Sequence, residues 1–417
     1  PAQDPYARPP MANREAMIDE RGVIPQLWLA MTNVNVVDVR NGNILEGVTV
    51  VVRDGRIVSV GADRPGGARV VDLRGRYMTP GFFEGHFHGG SIGSAQRALV
   101  SGVTTAKGAS VGGYNDVALR DMVKAGLLAG PDLLPAGVYV TPELGDTDAV
   151  LADPRLQKYA NREVRGEEAL RDVVRINIDR GVDWIKTRSS GLSTRTGGPD
   201  ALAQVYSNEE LAAIVDEASK RNVPVSCHAH GIEVIIAAIH AGCRSIEHAS
   251  YIDDEGLRLM KEHGTLWIPT YISVVGFALP HDDYNTTIAR QRFPHINENL
   301  GRMIGRGHDM GITILTAVDS GYGPESVYRV AGEINAFIEF GMTPLEALQA
   351  ATITSAAAYG LGEVTGAIEE GLEADLLVFD RDPLAYPSVL HNPLMVMSNG
   401  RIGLNRHVGD SLVIPDN

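Results

Sequence analysis

The chain is poor in cysteine: its 417 residues carry only Cys227 and Cys243. Two cysteines exclude a disulfide-dense scaffold and leave the redox compartment open. Positive charge is also scarce. Lys and Arg number 37 against 52 Asp and Glu, a net charge of -15, and a surface of that sign does not suit nucleic acid or an anionic membrane. No apolar run approaches the roughly 18 residues of a membrane-crossing helix, so no membrane partner is expected. There is no low-complexity segment, and no repeat beyond an alternation of short apolar and amphipathic stretches. The sequence opens at Pro1 without an initiator Met. Its leader, PAQDPYARPP, is polar and proline-rich and suits what remains after an export signal is cleaved. An exported chain, periplasmic or secreted, is therefore the expectation, with the cytoplasm as the alternative.

What is present is ordinary globular material, 44% hydrophobic and 21% charged, long enough for one large domain and a smaller one. Residues 1–28 read as an arm, either wrapping a neighbouring subunit or mobile. From residue 29, short alternating apolar runs are punctuated by Asn41-Gly42 and Asp54-Gly55, which are strong hairpin signals. The C-terminal stretch has the same texture in ADLLVFD, LMVMSNGRI and SLVIP. Residues 29–75 and 361–417 are thus expected to pair into a small composite β-sandwich domain. Residues 76–360 alternate apolar runs with amphipathic stretches such as EEALRDVVRINIDRG and IEVIIAAIHAG, the pattern of a parallel sheet with crossover helices. Strand ends fall near His88, Lys107, Val138, Lys186, His228, His248, Thr270 and Asp319. Eight strand–helix units make an α/β chain built as a (β/α)8 TIM barrel, with its chemistry at the C-terminal strand ends.

Chemistry-bearing residues recur at those ends. In TPGFFEGHFHGG, His86 and His88 sit at i and i+2 where an apolar strand finishes, so both imidazoles point to one side. Lys186 follows Trp184-Ile185, a place where a barrel interior should be apolar. His228, with His230 two residues on, ends the fifth strand; His248 follows Glu247 in the sixth; Asp319 closes the apolar run ITILTAV. Taken singly, each reads as a hydrogen-bonded core residue, a snorkelling lysine or a helix cap. Together at one rim they read as a metal site.

The order H-x-H, Lys, His, His, Asp resembles that of the amidohydrolase superfamily, in particular the branch of imidazolonepropionase-like hydrolases, Xaa-Pro and Xaa-Arg dipeptidases and ochratoxinase. DGRIVSVG, TPGFFEGHFH, GVTTAK, GVDWIKT, SCHAHG, SIEHAS, AVDSG, ALQAATITSAAAYGL and GLEADLLVFDRDPL resemble family blocks in the same order. The resemblance implies two divalent metal ions, zinc first among them. His86, His88 and Asp319 would hold the more buried ion, and His228 and His248 the more exposed one. Lys186, carboxylated by CO2 to a carbamate, would bridge them, since a protonated lysine cannot ligate. A hydroxide between the ions would attack an amide carbon, with Asp319 passing its proton to the leaving amine and His230 either steadying the oxyanion or serving only as a hydrogen-bond donor behind the ligands.

The reaction implied is hydrolysis of an amide or peptide bond, as in a dipeptidase, a carboxypeptidase or an ochratoxinase-like enzyme acting on N-acyl or aryl-acyl amino acids. Cyclic amides, aryl ureas and carbamates are the alternative substrates. A deaminase is the further one, although the glutamate expected three residues after the fifth-strand histidine is Gly231 here. The branch implies a free substrate carboxylate, for which Tyr139, Arg188 and Tyr271 are candidates. A small-molecule substrate and a homo-oligomer are the expected partners. The chain departs from the family pattern at Glu84, at Lys107-Gly108-Ala109 and in TRSSGLSTRTGGPD, all around the pocket. The long segments Thr141–Arg165 and Ile272–Asn299 are expected to roof the pocket, with an oligomer contact as the alternative for the second, which carries GFALPHDDYNTT.

Overall fold

The computed structural model describes residues 28–62, 65–191, 202–276 and 286–406. The proposed N-terminal arm, apart from residue 28, and most of GFALPHDDYNTT and TRSSGLSTRTGGPD lie outside the described residues.

The first strands are β1 (Leu29–Val37), β2 (Ile44–Arg53), β3 (Arg56–Gly61), β4 (Arg69–Asp72) and β5 (Tyr77–Pro80). Asp54 and Gly55 both have positive φ, 52° and 79°, as a two-residue turn matched to strand twist requires, and Arg53 pairs with Arg56 across it. The last strands, β13 (Leu376–Phe379), β14 (Met395–Ser398) and β15 (Arg401–Asn405), pair onto β5. The chain ends do meet, but in one eight-stranded sheet of order β15-β14-β13-β5-β1-β2-β3, with β4 also on β1, instead of the two facing sheets of a sandwich. The cause lies in β1. Its first residues pair parallel with β4 and its later ones with β5, and the left-handed Asn33 (φ 52°) sits between. The sheet therefore forks and wraps Leu29, Met31, Val50, Ile57, Leu376 and Met397 into its own core.

The middle of the chain holds β6 (Phe82–Phe87), β7 (Val103–Gly108), β8 (Asp132–Leu134), β9 (Ile185–Arg188), β10 (Val225–Ala229), β11 (Ser245–His248) and β12 (Leu266–Ile268). They form two parallel sheets, β6-β7-β8 and β12-β11-β10-β9. Parallel bridges Val140↔Thr187, Trp267↔Ile314 and Phe87↔Ser320 join the two, so the ring closes through residues 135–140 and 312–320. Between strands run α1 (Ile92–Val100), α2 (Asn115–Lys124), α3 (Glu167–Asp179), α4 (Asn208–Ser219), α5 (Ile232–Ala241), α6 (Asp254–His263), α7 (Tyr271–Gly276), α8 (Thr287–Asp309), α9 (Val330–Glu339), α10 (Pro344–Ala350) and α11 (Ile353–Ala358). Helices α5 and α6 end on left-handed Gly242 and Gly264, which cap without a Cβ penalty. The segment after β8 is a run of short 3-10 turns from Pro142 to Tyr159.

Below the rim the ring interior is polar where an apolar filling is expected. Lys107 and Lys186 are among the largest fully buried side chains, with Glu84, Ser226, Ser245, Glu247 and Thr316 also buried.

Candidate metal centre

His86 and His88 leave β6 on one side, as their spacing requires, and their Nε2 atoms lie 3.2 Å apart. Asp319 Oδ1 completes the triangle at 3.4 Å from His86 Nε2 and 3.2 Å from His88 Nε2. Alternation along β11 would send His248 to the face opposite Glu247. Left-handed backbone at His248 (φ 70°) and Ala249 (φ 52°) ends the strand instead, and the His248 ring lies 4.8 Å from that of His86 and 4.6 Å from that of His228. Asp319 (φ 49°) and Thr270 (φ 51°) are left-handed too. Non-glycine residues in this region cost on the order of 1–3 kcal/mol each and persist where the surroundings over-determine them; here they gather around one point.

Three of these imidazoles have one nitrogen engaged by the protein, and the fourth, His86, faces a carboxylate. His88 Nδ1 lies 2.9 Å from the Ser110 carbonyl, His248 Nδ1 2.7 Å from Thr270 Oγ1, and His228 Nε2 3.3 Å from the Gly191 carbonyl. His86 Nδ1 faces the Glu247 carboxylate at 3.3 Å. A ring whose first nitrogen is fixed this way offers a lone pair on the second. Burial, the largest influence, pushes His86, His228 and His248 well below the usual imidazole range, so they are neutral donors. Burial works to raise the Asp319 carboxyl, but His86, His88 and Lys186 outweigh it and hold it below the usual carboxylate range. His86, His248 and Asp319 form one set of donors within 4.8 Å, and His228, His230 and His248 another. Neutral imidazoles, an ionised carboxylate and fixed outer nitrogens fit divalent metal ions.

Lys186 is fully buried on β9, its Nζ without a hydrogen bond and pressed against the Glu247 carboxylate. Burial drives its amine well below the usual lysine range, which favours the neutral form that can take up CO2. His230 sits as close to His228 and His248 as a ligand would, with ring centroids 4.5 and 4.9 Å away. Its Nδ1 pairs with Ser250 Oγ at 2.9 Å, and burial lowers it to about 3.

Of the three carboxylate-binding candidates, two reach the rim. The Tyr139 ring is 6.3 Å from that of His88, and the Arg188 guanidinium lies 4.8 Å over the Tyr139 ring while Nη1 pairs with Glu143 at 2.7 Å. Tyr271 is turned away. Its hydroxyl donates to Asn297 on α8 at 2.5 Å and its ring packs edge-on against Phe340. Phe340 caps the C-terminus of α9, so Tyr271 is held in the helical layer, and its place directly after the strand end does not bring it to the rim.

The donors are held by Ser110, Thr270, Ser250, Glu84 and Glu247, residues to which the sequence alone assigns no such role. Glu84 accepts from the His86 and Val318 amides at 2.9 and 3.0 Å and from the Tyr322 hydroxyl at 2.9 Å, tying β6 to the Asp319 segment. Burial raises its carboxyl to about 7. The departure at position 84 was visible; its partners depend on the fold. The two cysteines also pair. Cys227 alternates with Ser226 and His228, so it faces outward from the ring and bonds to Cys243 across a separation of 16.

A family model described as the amidohydrolase family matches residues 77–403. The ochratoxinase of Aspergillus niger is 29% identical over 405 residues, covering 85% of this chain and 82% of that protein. Its crystal structure superposes with a TM-score of 0.75 at 25% identity, over 94% of this chain and 99% of that one. A Xaa-Pro dipeptidase with methionine bound in its active site gives a TM-score of 0.77 at 25% identity, over 90% and 99%. The fold of these relatives is a TIM barrel with an additional domain.

Proposed function

The chain belongs to the amidohydrolase family, and from that premise we propose that it is a binuclear metal-dependent hydrolase of a small amide or dipeptide bearing a free carboxylate. The observation that carries this reading is the convergence of His86 Nε2, His88 Nε2 and Asp319 Oδ1 within 3.4 Å of one another, with His88 held from behind by the Ser110 carbonyl and His86 backed by Glu247. His86, His88 and Asp319 would hold the more buried ion, His228 and His248 the other, and the carbamate of Lys186 would join them. When bound, the ions supply Lewis-acid polarisation of the substrate carbonyl and acidify water.

The chain's own residues do the rest. Asp319, ionised and buried, accepts a proton on its carboxylate and returns it to the departing amine. His230, anchored at Nδ1 by Ser250, presents Nε2 to the substrate oxygen. Arg188 above Tyr139 places a cation at the rim beside His88, suited to a substrate carboxylate. The relatives named ochratoxinase and Xaa-Pro dipeptidase favour an amide whose amine is an amino acid. The Cys227–Cys243 disulfide favours folding in an oxidising compartment, in keeping with an exported chain.

A hydrolysis screen of N-acyl amino acids, dipeptides, aryl amides and ureas with the zinc-loaded chain tests the assignment. Release of a free amino acid is the expected outcome; ammonia from a base as the only product would make it a deaminase instead.

A further inference from the structure

Four strands aim a side chain at one carboxylate below the candidate metal centre. Glu247, on β11, is fully buried. Its Oε1 accepts from Lys107 Nζ on β7 and from Ser226 Oγ on β10, both at 2.6 Å. Its Oε2 faces His86 Nδ1 on β6 at 3.3 Å and touches Lys186 Nζ on β9. Lys107, buried as deeply, also donates to Ser226 at 2.7 Å and lies 5.2 Å from the Trp184 ring centroid. A buried ion pair is a poor stabiliser, because desolvation offsets most of the attraction. Its value is to fix a charge in one place.

The place it fixes is behind His86. The other three first-coordination histidines lean on neutral oxygens, those of Ser110, Gly191 and Thr270. His86 faces a carboxylate: Nδ1 and Glu247 Oε2 lie 3.3 Å apart, and both are buried without a hydrogen-bond partner among the described residues. If Nε2 gives its lone pair to a metal, Nδ1 carries the hydrogen, and Glu247 Oε2 stands where that hydrogen must go. A carboxylate there orients the ring and raises its basicity more than a neutral acceptor does.

We infer that Glu247, held by Lys107 and Ser226, is the positioning residue that sets the affinity of the His86-side metal ion, separately from the ion held by His228 and His248. This rests on the metal reading above. The test titrates the metal-free full chain with Zn2+ against a competing chelator, in bicarbonate buffer, and follows thermal unfolding of the same samples without metal. Wild type is expected to show two uptake steps. Glu247→Gln, which keeps shape and removes charge, is expected to weaken one step by about 10–100-fold, the usual loss for such outer partners, while the other stays within a factor of about three. Lys107→Arg keeps the charge and is expected to restore most of the affinity that Lys107→Met loses. Two unchanged steps in a folded E247Q chain, or two steps weakened equally, overturn the inference while leaving the metal reading intact. A wild-type chain that takes up no Zn2+ overturns both. If E247Q does not fold, Ser226→Ala removes one hydrogen bond from the same carboxylate. A smaller loss on the same step is then expected, and no loss overturns the inference.

Discussion

The pairing of Cys227 with Cys243 offers a perturbation whose size follows from the fold. The bond closes a loop of 16 residues in sequence separation, spanning the end of β10, all of α5 and the Gly242 cap (φ 89°). Removing the cross-link from the unfolded chain restores loop entropy worth about 3 kcal/mol for a loop near this length. Both sulfurs are buried, Cys227 at 0% and Cys243 at 3% exposure, so Cys227→Ala with Cys243→Ala also loses packing, and a total of about 3–5 kcal/mol is expected. Urea unfolding of the metal-free chain, followed by the fluorescence of the buried barrel tryptophans Trp184 and Trp267, reads this directly. Thiol titration of the unfolded wild type from an oxidising compartment is expected to find no free thiol. A loss under about 1 kcal/mol, or two free thiols in that wild-type chain, refutes the reasoning.

Three further outcomes follow from particular side chains. Glu333 on α9 accepts from the Tyr271 and Ile272 amides at 2.9 and 2.7 Å, and burial raises its carboxyl to about 8. From the ordinary glutamate value of about 4.5 up to about 8 the folded chain therefore holds one proton more than the unfolded chain. The contribution is full below about 4.5 and declines by about 1.4 kcal/mol per pH unit as pH rises through that window. Glu333→Gln is expected to flatten that part of the stability–pH curve, and an unchanged slope in denaturant titrations between pH 5 and 8 counts against it. Thr270→Val removes the hydroxyl that holds His248 Nδ1. Zinc affinity measured by chelator competition should fall about 10–100-fold, with Thr270→Ser near wild type. Asp319→Asn removes the residue proposed as both metal ligand and proton carrier, and kcat on any substrate found should drop roughly 100- to 10,000-fold; activity within a factor of about ten of wild type would assign the proton to another group.

How much was legible before the fold was known depended on whether a residue's meaning is local. The i, i+2 spacing of His86 and His88 places both rings on one side whatever the topology, and the Asp54-Gly55 turn carries its own backbone preference. Lys186, His228, His248 and Asp319 were readable as strand ends because apolar runs precede them. Glu247 was in plain view beside His248, yet its role needs the register of β6, β7, β9 and β10 around it. The positive φ values at His248 and Thr270 leave no mark in residue type, since a β-branched threonine is among the residues least suited to that region. Tyr271 misled for the same reason: its position after a strand end is a rim position, but the backbone turn at Thr270 points it into the helices. The forked sheet escaped because β1 changes partner midway, and residue type along a strand does not say which neighbour it pairs with.

The proposed function requires a centre that takes up two metal ions. Metal content per chain by mass spectrometry, after loading the metal-free wild type with zinc in bicarbonate and removing the excess, tests it most directly. Two zinc ions per chain, falling when Lys186 is replaced by Ala, is the predicted result; one or none in the folded wild type contradicts the account.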